Sequence, residues 1–352
     1  MFPRAGHRPE GSVEKNSVAV PHRPGAGEAR ATVALAADVI PPNSGLSLLT
    51  RSSIKQQLYA VDTYFRDSWE DAVRVCGPVA SDVARDHAFL LLKPDAVVRR
   101  KLLPALEWLE SAGWEVVHAQ RFRVHRWAVR AFWQYQWNTA TRDRREMADH
   151  YMAATDSLVL LMRAADGSAA RATGRPIPDE WACSALTRVK GGSDPRLCRP
   201  GQIRYALGTL NQQLNLVHTA DEPADLIREI GICCTTDERR ALYTALAAGG
   251  DAWDDAHRLA RELEGGQEVL DLSLTGTVER LLERAGSEPE LRRCLIRLGS
   301  GEAVSWPELE RVADRPGAGL GGWDRVVLGT FLLVPTLPGV VPLLPDASAR
   351  PR

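Results

Sequence analysis

The chain is short of the features that would place it in several large functional classes. Among its 352 residues, 44 Lys and Arg nearly balance 45 Asp and Glu, giving a formal net charge of -1. No global basic field therefore argues for nucleic acid, and none argues for electrostatic attachment to a membrane surface. Cysteine is scarce: Cys76, Cys183, Cys198, Cys233, Cys234 and Cys294 include no C-x-x-C pair and no zinc spacing. Adjacent Cys233 and Cys234 read as apolar filler at an element end, and reduced thiols suit a cytoplasmic location. The opening stretch "MFPRAGHRPEGSVEKNS" has no apolar core of the kind a secretory signal needs. Long hydrophobic runs are reduced to one, "VVLGTFLLVPTLPGVVPLLP" (326–345), and its three internal prolines argue against a spanning helix. A buried or interfacial terminal segment is expected there instead. No G-x-x-x-x-G-K-[ST] loop occurs. "GAGLGG" (317–322) fits a dinucleotide motif by letter only, because polar "RVADRP" and not a strand precedes it.

What is present is ordinary for a soluble protein: 44% hydrophobic and 25% charged residues, in a chain long enough for two modest domains. Residues 1–50, rich in Pro, Gly, Ala and Ser without periodicity, are expected to be a disordered extension. Residues 51–85 carry apolar residues at helical spacing and form a helical lead-in. Within 86–234 the pattern changes. "HAFLLLK" (87–93) reads as a buried strand, "LLPALEWLESAG" as a helix stopped at Gly113, and "WEVVHAQRFRV" as a second strand. Residues 126–153 read as helix with a polar break near "NTATRDRRE"; "SLVLLMR" (157–163) and "QQLNLVH" (212–218) complete a set of four strands. This order predicts an α+β split βαβ sandwich, one sheet with helices on one face. After Cys234, "TTDERRALYTALAAGG", "DAWDDAHRLARELEGG" and "GTVERLLERAG" are amphipathic, the first opening on a Thr235-x-x-Glu238 capping box. Residues 235–352 are therefore expected to be an all-helical region without catalytic residues.

The chemistry concentrates around "LNLVHTADEP" (214–223). A histidine near neutral pH keeps a lone pair on one ring nitrogen, and that nitrogen becomes a nucleophile when a second group fixes the tautomer. For His218 the candidate partner is Glu229, about two turns along a helix that Asp221 is placed to cap. Transfer of a phosphoryl group also needs cations, which Lys93, Arg188 and Arg204 can supply if they converge; singly, each is an ordinary surface charge. His118, His125 and His150 lack metal spacing, "RDRRE" (142–146) reads as a solvated face, and Trp108, Trp114, Trp127, Trp133 and Trp137 as packing residues.

The segments "FLLLKPDAVVRR", "SDPRLCRPGQIR", "NLVH" and "EIG", in that order, with eleven residues from His218 to Glu229, resemble the nucleoside diphosphate kinase family over roughly 87–234. The resemblance implies a ferredoxin-like βαββαβ sandwich with a four-stranded antiparallel sheet. It also implies ping-pong transfer of a γ-phosphoryl group from a nucleoside triphosphate to a nucleoside diphosphate. His218 would be the phosphorylated nucleophile and Glu229 its orienting partner. Lys93, Arg204 and Ser193 would hold phosphates, and Asn215 would touch the sugar. The second phosphate arginine is Arg188 or Arg175, with Arg188 preferred for its nearness to the phosphate loop. Mg2+ would arrive with the nucleotide and not in a protein cage, and a homo-oligomer is implied. Two departures stand out. Ala220 replaces a family serine two residues after the nucleophile, and no phenylalanine falls where the family clamps the base, leaving Tyr135 as the nearest aromatic. An acceptor other than a common nucleotide, or a nucleotide-sensing module without catalysis, are the alternative readings.

Overall fold

Strand β1 (His87–Leu92) is apolar without alternation, and every one of its residues is buried. It lies centrally, pairing antiparallel with β3 (Ser157–Ala164) on one side and β4 (Val217–Thr219) on the other. Strand β2 (Trp114–Phe122) pairs with β3 at the edge, with a bulge between Val116 and His118. The sheet order β2-β3-β1-β4 is that of a ferredoxin-like sandwich. The computed structural model describes residues 46–164, 180–284, 288–313 and 320–344. Phe89, Leu90, Leu91 and Leu92 are each inaccessible to solvent, and each such side chain contributes roughly 1.5–3 kcal/mol by its removal from water.

Both faces of the central strands are covered, which is more than the single helix-covered face expected. Helices α4 (Leu102–Ser111), α7 (Ala182–Lys190) and α9 (Pro223–Cys233) pack on the sheet, as the split βαβ pattern requires. In addition α10 (Thr236–Ala248) and α11 (Trp253–Gly265) pack on β2. The Thr235–Glu238 capping box opens α10 as the sequence indicates, and its C-cap Gly249 sits at φ +70°. The polar break in 126–153 separates α5 (Arg126–Phe132) from α6 (Arg142–Met152).

The lead-in consists of α1 (Ser53–Val61), α2 (Thr63–Cys76) and α3 (Ala80–Asp86), and α2 packs along both α9 and α10. A buried polar cluster joins it to α9. Asp62 accepts from Arg228 Nε and from the Tyr135 hydroxyl, both at 2.8 Å. Removing one member of so buried a pair costs about 3–5 kcal/mol, since the other charge is left uncompensated. Further on, α12 (Leu274–Arg284), α13 (Pro289–Gly299), α14 (Trp306–Ala313) and α15 (Gly322–Leu332) extend the helical region. The terminal apolar run is split between two structures. Val326, Val327 and Leu328 are buried in α15, which packs on α6, whereas residues 333–344 form an extended strap with several exposed apolar side chains. Among the described residues no helix is long and apolar enough to cross a membrane. The expected 1–50 extension lies outside the described residues as far as residue 45, as do Arg175 and the first half of "GAGLGG".

Candidate active site

Strand β4 is shorter than the predicted 212–218, and the reason lies in one residue. Leu216 adopts φ +69°, and the Val217 amide donates to the Asn215 carbonyl at 2.8 Å, closing a tight γ-turn directly before the strand. A branched residue in this backbone region is strained and persists only when neighbours hold it. The Leu216 amide donates to Asp95 Oδ2 at 2.9 Å, and the Lys93 amide donates to the Leu216 carbonyl at 2.9 Å. Arg204 donates from Nε to the Asn215 carbonyl and from Nη2 to the Val217 carbonyl, at 3.3 and 2.7 Å. The turn therefore presents His218 from a fixed backbone.

The imidazole Nε2 lies 2.8 Å from Glu229 Oε1, across from β4 on α9. Burial pushes the Glu229 carboxyl up, and the proximity of His218 pulls it partly back. Its second oxygen, Oε2, is buried without a hydrogen-bond partner. Among the described residues, ring nitrogen Nδ1 makes no hydrogen bond. Phe132 and Trp133 meet the imidazole edge-on, with centroids at 5.5 and 5.3 Å, and fix its plane. The ring thus has one nitrogen anchored and the other open.

A cleft of about 1630 Å³ surrounds this ring. All seven predicted site residues, Lys93, Arg188, Ser193, Arg204, Asn215, His218 and Glu229, line it. They share one cavity, though their contacts differ. Lys93 donates to the Gln213 carbonyl at 2.6 Å and stands 3.9 Å from Asp95; burial lowers its ammonium to about 8, with Asp95 opposing. Arg188 is engaged by both oxygens of Glu180, at 3.0 and 2.6 Å. Asn215 donates to the Gln212 carbonyl at 2.9 Å. Arg175 lies outside the described residues, so only Arg188 of the two is placed.

Two expectations are corrected. Asp221 does not cap α9; Glu222 does, in a reciprocal box with Asp225. Asp221 instead accepts from Thr187 and from Lys190 Nζ, at 3.1 and 3.3 Å; burial acts to raise its carboxyl, but Lys190 and then Lys55 hold it below the usual carboxylate range. Tyr135 does not line the cleft, because its hydroxyl is spent on buried Asp62. Trp133 and Trp137, read as packing residues, do pack against the core and in addition line the cleft, stacked on each other at 5.0 Å and 11°. Their spacing of four in a helical stretch was the available signal.

The lead-in also contributes. Lys55 on α1 reaches Glu222 and Asp225, both at 2.7 Å, and Tyr59 donates to Asp225 at 2.6 Å. The charge of these two carboxylates at the start of α9 is thereby partly offset beside the cleft. At its far side stand Pro342 and Leu344 of the terminal strap, in a region expected to carry no catalytic residues.

The model of the nucleoside diphosphate kinase family matches residues 86–239. The nucleoside diphosphate kinase of Methanocaldococcus jannaschii is 24% identical over 156 residues, covering 44% of this chain and 96% of that protein. That of Thermococcus kodakarensis is 24% identical over 160 residues, covering 45% of this chain and 82% of the relative. Among solved structures, a halophilic nucleoside diphosphate kinase from Halobacterium salinarum in complex with CDP shares 20% identity. It covers 44% of this chain and 90% of that one, with a TM-score of 0.35.

Proposed function

Since residues 86–239 match the model of the nucleoside diphosphate kinase family, an enzyme family, we propose that the protein moves the γ-phosphoryl group of a nucleoside triphosphate to a nucleoside diphosphate through a phosphohistidine on His218. The observation that carries this reading is the imidazole with Nε2 held by Glu229 at 2.8 Å and Nδ1 open to the cleft. In the first half-reaction the Nδ1 lone pair attacks the γ-phosphorus, and the bond to the bridging β–γ oxygen breaks. The diphosphate leaves with that electron pair. Nε2–H stays donated to Glu229, which offsets the positive charge growing on the ring. In the second, a terminal oxygen of the incoming diphosphate attacks the same phosphorus, and the N–P bond returns its pair to Nδ1.

Lys93, Arg188 and Arg204, which line the same cleft as His218, would supply the cations, with Ser193 and Asn215 as neutral donors to phosphate and sugar. Arg188 reaches phosphate by exchanging Glu180 for it, one anion for another. Mg2+ is read as entering on the nucleotide's phosphates, where it screens their charge. The cleft's own carboxylates fit that reading, since Asp221, Glu222 and Asp225 are already engaged by Lys190 and Lys55.

The test is incubation with γ-labelled ATP followed by denaturing gel analysis. Acid-labile, alkali-stable label is expected on the full chain, to be discharged by added diphosphate and lost at least about a thousandfold in His218→Ala. Nucleotide binding with no label at all would instead favour a sensing module.

A further inference from the structure

We infer that the C-terminal strap, residues 333–344, is part of the nucleotide site, forming the apolar wall against which the heterocyclic base is held. The proposal rests on the reading of the cleft as a nucleotide site. It adds that a segment outside the family domain completes that site and sets acceptor preference.

The strap is fastened along the connection between α5 and α6. Thr141 binds it twice, its hydroxyl donating to the Val334 carbonyl at 2.6 Å and its amide to the Pro335 carbonyl at 3.3 Å. A β-bridge joins Ala140 to Thr336, and the Leu337 amide donates to the Thr139 carbonyl at 2.7 Å. Asn138 clamps both sides of the last turn, donating to the Val341 carbonyl and accepting from the Leu343 amide. Finally the Leu344 amide donates to the Tyr135 carbonyl at 2.9 Å. A chain pinned at so many successive points is held in register, and its side chains have fixed sides. Leu344 is 3% exposed and lines the cleft, while Val341 is 79% exposed.

The segment it grips is the one that carries the aromatic end of the cleft. Trp133 and Trp137 stack there, and the guanidinium of Arg144 lies 5.6 Å from the Trp137 ring. With Pro342 and Leu344 the cleft gains an apolar, proline-stiffened surface on the same side. Planar heterocycles are bound by such surfaces, with aromatic faces giving affinity and the surrounding shape giving preference. The position is also anchored from behind. Asn211 in the loop before the nucleophile donates to Thr330 on α15 at 3.1 Å, and Gly329 leaves room for Met147 of α6, which a Cβ would meet at 2.1 Å.

The experiment compares the full chain with a chain ending at Leu333 and with Leu344→Ala, using Val341→Ala as an exposed control. ADP, GDP and CDP are titrated calorimetrically, and γ-labelled ATP labelling at saturation is run beside them. Leu344→Ala and the shortened chain should weaken diphosphate binding by about tenfold, the scale on which apolar pockets discriminate. The ratios among the three bases should also change, while Val341→Ala and the extent of labelling stay as in the full chain. Equal affinities and equal ratios in all four proteins would overturn the inference while leaving the kinase reading intact. If the full chain binds diphosphates without ever labelling, the phosphohistidine fails and the strap is judged on affinity alone. Failure of the full chain to bind any nucleotide overturns both. Thermal unfolding of Leu344→Ala keeps the test valid if the shortened chain does not fold.

Discussion

The two ends of the cleft are built in different ways. At the end around His218, the side chains come from stretches 93–95, 188–204 and 215–229; Lys93, Asp95 and Arg204 are tied to backbone by specific hydrogen bonds, and His218 is tied to the Glu229 side chain. At the aromatic end, which begins where Phe132 and Trp133 meet the imidazole, the surface comes from 132–139 and from 342–344, more than two hundred residues apart in sequence; its lining is mostly apolar, and hydrogen bonds to Tyr135 and Asn138 hold the second segment on the first. The proposed attack on phosphorus would require one nitrogen at one place, and so residues of definite type and spacing. Holding a planar ring requires only apolar surface of suitable shape, which many residue types and distant segments can supply. The first end therefore leaves a motif, and the second leaves none.

The largest effect that sharpens this contrast is expected at Glu229. Glu229→Gln keeps an acceptor for Nε2–H but removes the charge that offsets the growing imidazolium, so kcat should fall by about 100-fold with KM little changed. Steady-state rates at saturating substrates check this; an unchanged kcat would mean that the carboxylate only packs. Next comes the pH dependence set by Lys93. Its ammonium, lowered to about 8 by burial, is present below that pH and lost as pH rises through it. Accordingly kcat/KM for nucleotide should decline about tenfold per pH unit above pH 8, and Lys93→Arg should remove that limb while leaving the acid side alone. For stability the sign is opposite. The unfolded chain keeps this proton up to about 10.4, so between the two values it binds more protons and urea unfolding should show stability rising with pH from this group. The smallest effect belongs to Ala220→Ser. Glu229 Oε2 lacks a partner, and a hydroxyl two residues past the nucleophile should raise kcat by about threefold, the gain from one restored hydrogen bond. Pre-steady-state labelling rates would read it; no change would indicate that the second oxygen has no part in orientation.

Much of the fold was legible in residues taken locally. The continuous apolar run 87–92, the glycine stop at 113 and the Thr235–Glu238 box each report a local requirement, and the structure contains them at those places. Where local reading failed, a distant partner had decided. The fourth strand was cut short because Asp95, Lys93 and Arg204 hold Leu216 in a turn that its own type disfavours. Asp221 was drawn away from capping by Lys190 and Thr187 on α7. Tyr135 was drawn out of the cleft by Asp62 at the start of α2. In each case a hydrogen bond across at least thirty residues outweighed a preference worth about 1 kcal/mol.

The sequence by itself determined the order of strands and helices, the apolar core and the eleven-residue step from His218 to Glu229. These depend on periodicity and on residue type, which are properties of neighbours in the chain. Only the tertiary structure decided which aromatic residues face the cleft, that the lead-in engages the carboxylates beside it, and that the last described residues close its far side. Those outcomes depend on distances between segments that nothing local records, because long-range contacts are chosen by the burial and hydrogen bonding of the whole chain together.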